Sequence, residues 1–238
     1  MAHVTGVDGC RGGWCAVSIR DEKDALNVSQ PAIHPSFQEL LDSPADLISI
    51  DIPIGLLDGP GQRPCDTEAR TRLGWPRRNS VFTPPSRPAL RFRGYASASQ
   101  ANSQASGRKL SKQTFAIMPK IAEVDSLMTP TLQSRVREVH PEVCFWALNN
   151  RKPMSWNKKK PAGRAERWRI LRRVLPSLPV EPALSPIVKG QCAVDVYIGA
   201  LVAAWTAVCI ARGSAGRIPH NPTVDDRGLR MEMWFPAV

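Results

Sequence analysis

The chain has 238 residues, 42% of them hydrophobic, enough for one large domain with an ordinary buried core. Its formal charge of +11 is unevenly spread: residues 1–58 carry 3 Lys/Arg against 9 Asp/Glu, whereas residues 151–173 carry 10 against 1. The six cysteines, at 10, 15, 65, 144, 192 and 209, form no CxxC pair, which argues against a disulfide framework or a zinc knuckle. No membrane span or secretory signal is expected either, so the reading is a cytoplasmic protein with buried free thiols.

In chain order, Val4–Val7 and Trp14–Ile19 read as two strands joined by a glycine turn, and Ala25–Ile33 as a third, giving an antiparallel meander. SFQELLD (36–42) has Phe37, Leu40 and Leu41 at helical spacing behind a Ser36 cap. DLISIDIPIG (46–55) is a nearly continuous apolar run, as in a strand buried on both faces. CDTEARTRL (65–73) orders acids before arginines, which suits a helix dipole. The Pro- and Arg-rich stretch that follows, and the polar helix formers at 96–122, read as an insertion spanning about 59–122. RVREVHPEVCFWAL (135–148) starts as a strand, breaks at Pro141 and continues as a helix. VDVYIGALVAAWTAVCIA (194–211) is an Ala-rich buried helix.

Four acidic residues stand where stability alone would not put them: Asp8 after the first apolar run, Asp51 inside an apolar strand, Glu138 on the fifth strand and Asp195 in the first turn of the last helix. Some of these, and His140 beside them, have a plain structural alternative. Asp8 suits a turn, Asp195 suits a helix N-terminus, and His140 suits a hydrogen bond to a loop. If the first and fourth strands are parallel neighbours, however, Asp8 and Asp51 project together and Asp195 joins them. Clustered carboxylates repel, and a divalent cation relieves the repulsion.

The element order, with VDGCRGGW at 7–14, DIPIGL at 51–56, CDTEARTRLG at 65–74, SVFTPPSR at 80–87, EVHPEVCFWAL at 138–148 and GLRMEMWFP at 228–236, resembles the family called domain of unknown function 429. That family is described as predicted nucleases within the ribonuclease H-like fold. The resemblance implies an α/β chain with a mixed five-stranded sheet, three strands antiparallel and the rest parallel, flanked by helices. It implies a single domain over 1–238, interrupted at about 59–122 and by a basic segment at about 151–173. It further implies Asp8 and Asp51 as core ligands for Mg²⁺ or Mn²⁺, with Asp195 and either Glu138 or Glu142 completing the set, and Asp8, Asp51, Glu138 and Asp195 as the catalytic acids. Where the family's last helix is expected to read DDxxDAL, this chain reads DVYIGAL, with Val196 and Gly199 in place of acids.

The expected partner is nucleic acid, DNA or RNA, contacted by Arg63, Arg70, Arg87, Lys112, Gln113, His140, Lys158, Lys159 and Lys160. The basic block RKPMSWNKKKPAGRAERWRILRR mixes two tryptophans with its cations, which suits phosphate neutralisation with base stacking and equally a solvated helix face. A metal-dependent nuclease is the leading expectation. The alternatives are a catalytically impaired nucleic-acid-binding protein and a phosphate-binding enzyme of the actin or sugar-kinase type.

Overall fold

A computed structural model describes residues 1–22, 25–182 and 190–237. The elements in chain order are β1 (Ala2–Cys10), β2 (Gly13–Glu22), β3 (Ala25–Val28), β4 (Ala32–His34), α1 (Phe37–Leu41), β5 (Leu47–Ile50), α2 (Pro64–Leu73), α3 (Tyr95–Ser106), α4 (Lys112–Leu127), β6 (Val136–Glu138), α5 (Pro141–Leu148), α6 (Pro161–Val174), α7 (Val194–Ala211), β7 (Ala215–Ile218) and β8 (Met233–Pro236). The chain divides into two compact units. The first comprises 1–51, 135–217 and 234–238; the second comprises 52–134 and 218–233. The insertion expected at about 59–122 falls wholly within the second.

The first unit is α/β. Its mixed sheet has six strands where five were expected, in the order β3-β2-β1-β5-β6, with β4 also on β2. The extra strand arises because 25–33, read as one strand, is two short ones that pair with β2 at Ile19↔Val28 and Cys15↔Ile33. β1 is antiparallel to β2 and parallel to β5, which is parallel to β6. The apolar run at 46–55 supplies only four residues of strand, so Asp51 stands just past the end of β5 and donates its backbone N–H to the Val7 carbonyl at 2.9 Å. Asp8, by contrast, lies inside β1, two residues before its end and opposite Cys15.

Helix α7 covers the face of the sheet that carries Val4, Cys15, Val17 and Leu47. Its small residues have a steric cause. A Cβ on Gly6 would stand 1.9 Å from the backbone nitrogen of Ala204 and 2.2 Å from the Ala200 carbonyl, so strand and helix meet main chain to main chain. Bulkier side chains at either surface would push them apart. At 18 residues and a mean hydropathy of 1.9, α7 meets the length and apolarity of a membrane span, contrary to the sequence expectation, but 67% of it is buried inside the molecule. All six cysteines are free and buried.

The second unit is held by α2, α3 and α4 with irregular connections. Its charged centre is Arg87, whose guanidinium binds Asp58 at 2.6 Å, Asp125 at 3.2 Å and Asp225. Asp225 also accepts the backbone N–H groups of Leu56 at 3.0 Å and Leu229 at 2.8 Å, tying together segments far apart in sequence.

Candidate metal centre

The parallel register fixes which acids meet. Val7, Ile50 and Glu138 pair across β1, β5 and β6, so Asp8 and Asp51, one residue on, project from the opposite face, the face covered by α7. Alternation therefore gathers Asp8 and Asp51 and sends Glu138 to the other side of the sheet. Glu138 is buried there, apart from the acids it was expected to join. Sequence reasoning placed it on a strand correctly, but a strand residue's face depends on register, which the partner strand decides.

Asp8 is buried at 7% exposure, and its Oδ2 has no hydrogen-bond partner among the described residues. Burial pushes its pKa well above the usual carboxylate value, and the charges of Asp51 and Asp195 push it further; Lys158 and the Gly9 backbone N–H pull the other way. Asp51 is also raised, first by burial and then by Glu142, against the charges of His140 and Lys158. Asp195 enters from the first turn of α7. As the side chains stand, the oxygens of Asp8, Asp51 and Asp195 do not all lie within 4.8 Å of one another.

Gly199, one helical turn beyond Asp195, packs directly against Asp8. A Cβ there would lie 2.2 Å from Oδ2 of Asp8 and 3.2 Å from its Cγ. The Asp8 carboxylate occupies the space a side chain would need, so a longer residue has no room in this arrangement.

Glu142 is not a candidate ligand. Arg167 holds it with Nη2 at 2.7 Å from both carboxylate oxygens and Nε at 3.0 Å from Oε1, and both side chains are buried. The same Arg167 donates from Nη1 to the carbonyls of Trp156 at 3.0 Å and Gly163 at 2.8 Å. Glu166 accepts the backbone N–H groups of Ser155 and Trp156. These bonds fasten the segment before α6, and they bring Lys158 into the field of Asp8, Asp51, Asp195 and Glu142, whose charges raise its pKa although burial opposes this. The sequence marks Lys158 only as a phosphate contact; its charge is felt at Asp8 and Asp51, as that of His140 is at Asp51.

The remaining candidates separate. His140, the N-cap residue of α5, lies close enough for its charge to be felt at Asp51. Lys159 and Lys160 are exposed at the start of α6. Of the two tryptophans in the basic block, Trp168 is core and donates to the Pro179 carbonyl at 3.0 Å, which removes it as a stacking surface, whereas Trp156 is exposed. In the second unit, Arg63, Arg70 and Gln113 line one cavity. Lys112 sits 3.5 Å over the ring of Tyr95, and Arg87 is consumed by its three carboxylates, so neither serves as a free phosphate contact.

Residues 6–224 match the model of a family described as a protein of unknown function (DUF429). The chain belongs to the DUF429 family. No curated protein and no solved structure matches it. For this DUF429 chain the side chains themselves therefore decide what chemistry to propose. A hard cation suits their chemistry: the donor set of Asp8, Asp51 and Asp195 is all carboxylate oxygen, and Asp8 holds a buried, unsatisfied oxygen against the backbone of Gly199.

Proposed function

We propose that the first unit is a ribonuclease H-like metal-dependent nuclease that cleaves phosphodiester bonds in nucleic acid. The sheet supports the fold reading: three antiparallel strands lead into two parallel ones, with acids at the centre. The observation that carries the function is the unsatisfied Oδ2 of Asp8 next to Asp51, because a buried carboxylate oxygen without a donor costs stability unless a cation completes it. Asp8, Asp51 and Asp195 would hold Mg²⁺ or Mn²⁺. When bound there, such an ion supplies Lewis-acid polarisation and a more acidic water.

The protein's own groups do the rest. Asp8 and Asp51 are held by adjacent parallel strands, so little reorganisation is needed for them to act together. Lys158 offsets part of their charge and presents an ammonium to an incoming phosphate. Three carboxylates and one ammonium leave two negative charges, which favours one divalent ion over two. The six buried thiols support a reducing, cytoplasmic setting.

The test is cleavage of labelled single- and double-stranded DNA and RNA in Mn²⁺. Wild-type protein should cut at least one of them. Asp8→Asn and Asp51→Asn should not, with circular dichroism unchanged; cleavage that survives both substitutions refutes the centre. Lys158 favours a second reading, a nucleic-acid-binding protein without turnover, since an ammonium among carboxylates is one way to replace an ion. Saturable binding of nucleic acid with no cleavage in either metal selects it.

A further inference from the structure

The second unit contains a cavity of about 560 Å³ whose charge has no internal explanation. Its size lies within the range of about 300–1,000 Å³ usual for small-molecule sites. The single acid on its wall, Asp66, is bound to Arg63 at 3.2 Å, so that pair contributes no net charge. Arg70, Arg78, Arg108 and Lys109 also line it, and among the described residues none of these four forms an ion pair with a carboxylate. Arg70 is nonetheless fixed: its Nε donates to the Val81 carbonyl at 3.0 Å and its Nη2 to the Thr83 hydroxyl at 3.1 Å. Four positive charges from three separate segments thus face one hollow.

The wall opposite in character is apolar. Val81, Phe82, Pro84 and Pro85 form one continuous stretch along the cavity, with the Phe82 ring only half-buried. The first turns of α2 and α4 also line the space, adding the positive ends of two helices. Guanidinium groups complement a phosphate monoester, and an aromatic ring beside them offers a face to a planar base.

We infer that this cavity binds a nucleoside monophosphate, with the phosphate at Arg78 and Arg108 and the base against Phe82. The inference does not rest on the nuclease reading, since all its residues belong to the second unit.

The experiment is isothermal titration of full-length protein with adenosine 5′-monophosphate, uridine 5′-monophosphate, ribose 5-phosphate and inorganic phosphate, without divalent metal. Saturable binding of a nucleotide is expected, at least tenfold tighter than that of ribose 5-phosphate or phosphate. The Arg78→Gln/Arg108→Gln double variant changes two exposed side chains, so its melting temperature should match the wild type while its nucleotide affinity falls at least tenfold. Asp8→Asn should bind as the wild type does, which separates failure here from failure of the metal centre. Absence of saturable binding, equal affinity for phosphate alone, or undiminished affinity in the double variant would each overturn the assignment.

Discussion

A side-chain carbon at position 199 would stand 2.2 Å from Oδ2 of Asp8, so the glycine of the last helix and the acid of the first strand occupy adjoining space that only one of them can fill. In an ordinary helix interior, Gly→Ala is stabilising by roughly 0.5–1 kcal/mol. Here the sign should reverse. Gly199→Ala is expected to destabilise the protein by about 1–3 kcal/mol through overpacking, measured by urea denaturation, and to weaken Mn²⁺ binding by calorimetry. Stabilisation with unchanged metal affinity would show that the carboxylate yields freely.

Asp8 itself should set function against stability. Its folded pKa is raised, so the contribution it makes to stability is fully present below the unfolded value near 3.8 and is lost as pH rises through the folded value. At neutral pH without metal, Asp8→Asn should therefore raise the melting temperature, and the gain should vanish near pH 3.5. Thermal scans across pH check this. A variant less stable than wild type at pH 7.5 contradicts the burial of a charge that Lys158 and the Gly9 N–H only partly offset.

Lys158 should act in the opposite sense. Its raised folded pKa means that its stabilisation is in place below its unfolded value of 10.5 and disappears as pH climbs past the folded one. Lys158→Gln is expected to lower stability at pH 7 by removing the counter-charge of Asp8 and Asp51. The loss should shrink on acidification as those carboxylates take up protons. A constant loss at every pH would point to packing alone.

Two guanidinium groups, that of Arg167 buried and that of Arg87 half-buried, carry structural predictions. Arg167→Ala leaves Glu142 ionised and buried without its bidentate partner, so a loss of about 3–5 kcal/mol is expected in equilibrium unfolding.

In the second unit, Arg87→Met should destabilise by a smaller amount, about 1–3 kcal/mol, because Asp58 loses its guanidinium while Asp125 keeps Arg227 and Asp225 keeps its backbone N–H donors. Burial alone would raise the pKa of Asp225. The N–H groups of Leu229, Leu56 and Arg227 together with Arg87 lower it, so its stabilisation holds above pH 3.8 and is lost as pH falls through the depressed value. The wild type should therefore lose more stability than Arg87→Met on acidification below pH 4.

Much of this architecture was legible in the sequence. Ser36 capping α1, the apolar run of β5 and the Ala-rich α7 follow from local pattern, because each signal lies within one element. The pairing of Asp8 with Asp51 followed from assuming a parallel neighbour, which the β1–β5 ladder supplies. What local pattern did not carry was direction. Glu138 faces away through register, Glu142 is claimed by an arginine 25 residues on, and Arg87 by acids up to 138 residues away. Lys158 and Arg167 were hidden among ten cations, since nothing in a run of charges marks those that meet buried acids. The residues of the second unit looked like an insertion because its helices carry mostly polar residues between Pro- and Arg-rich connections.

The bare-backbone crossing at Gly6 sets a limit on redesign. Since peptide groups, not side chains, decide how close the last helix comes to the first strand, the span separating residues 8 and 195 is a property of the scaffold. Exchanging one carboxylate for another would alter charge and reach but leave that span unchanged. Retuning the centre toward a larger ion would require lifting the helix, through positions 6, 200 or 204.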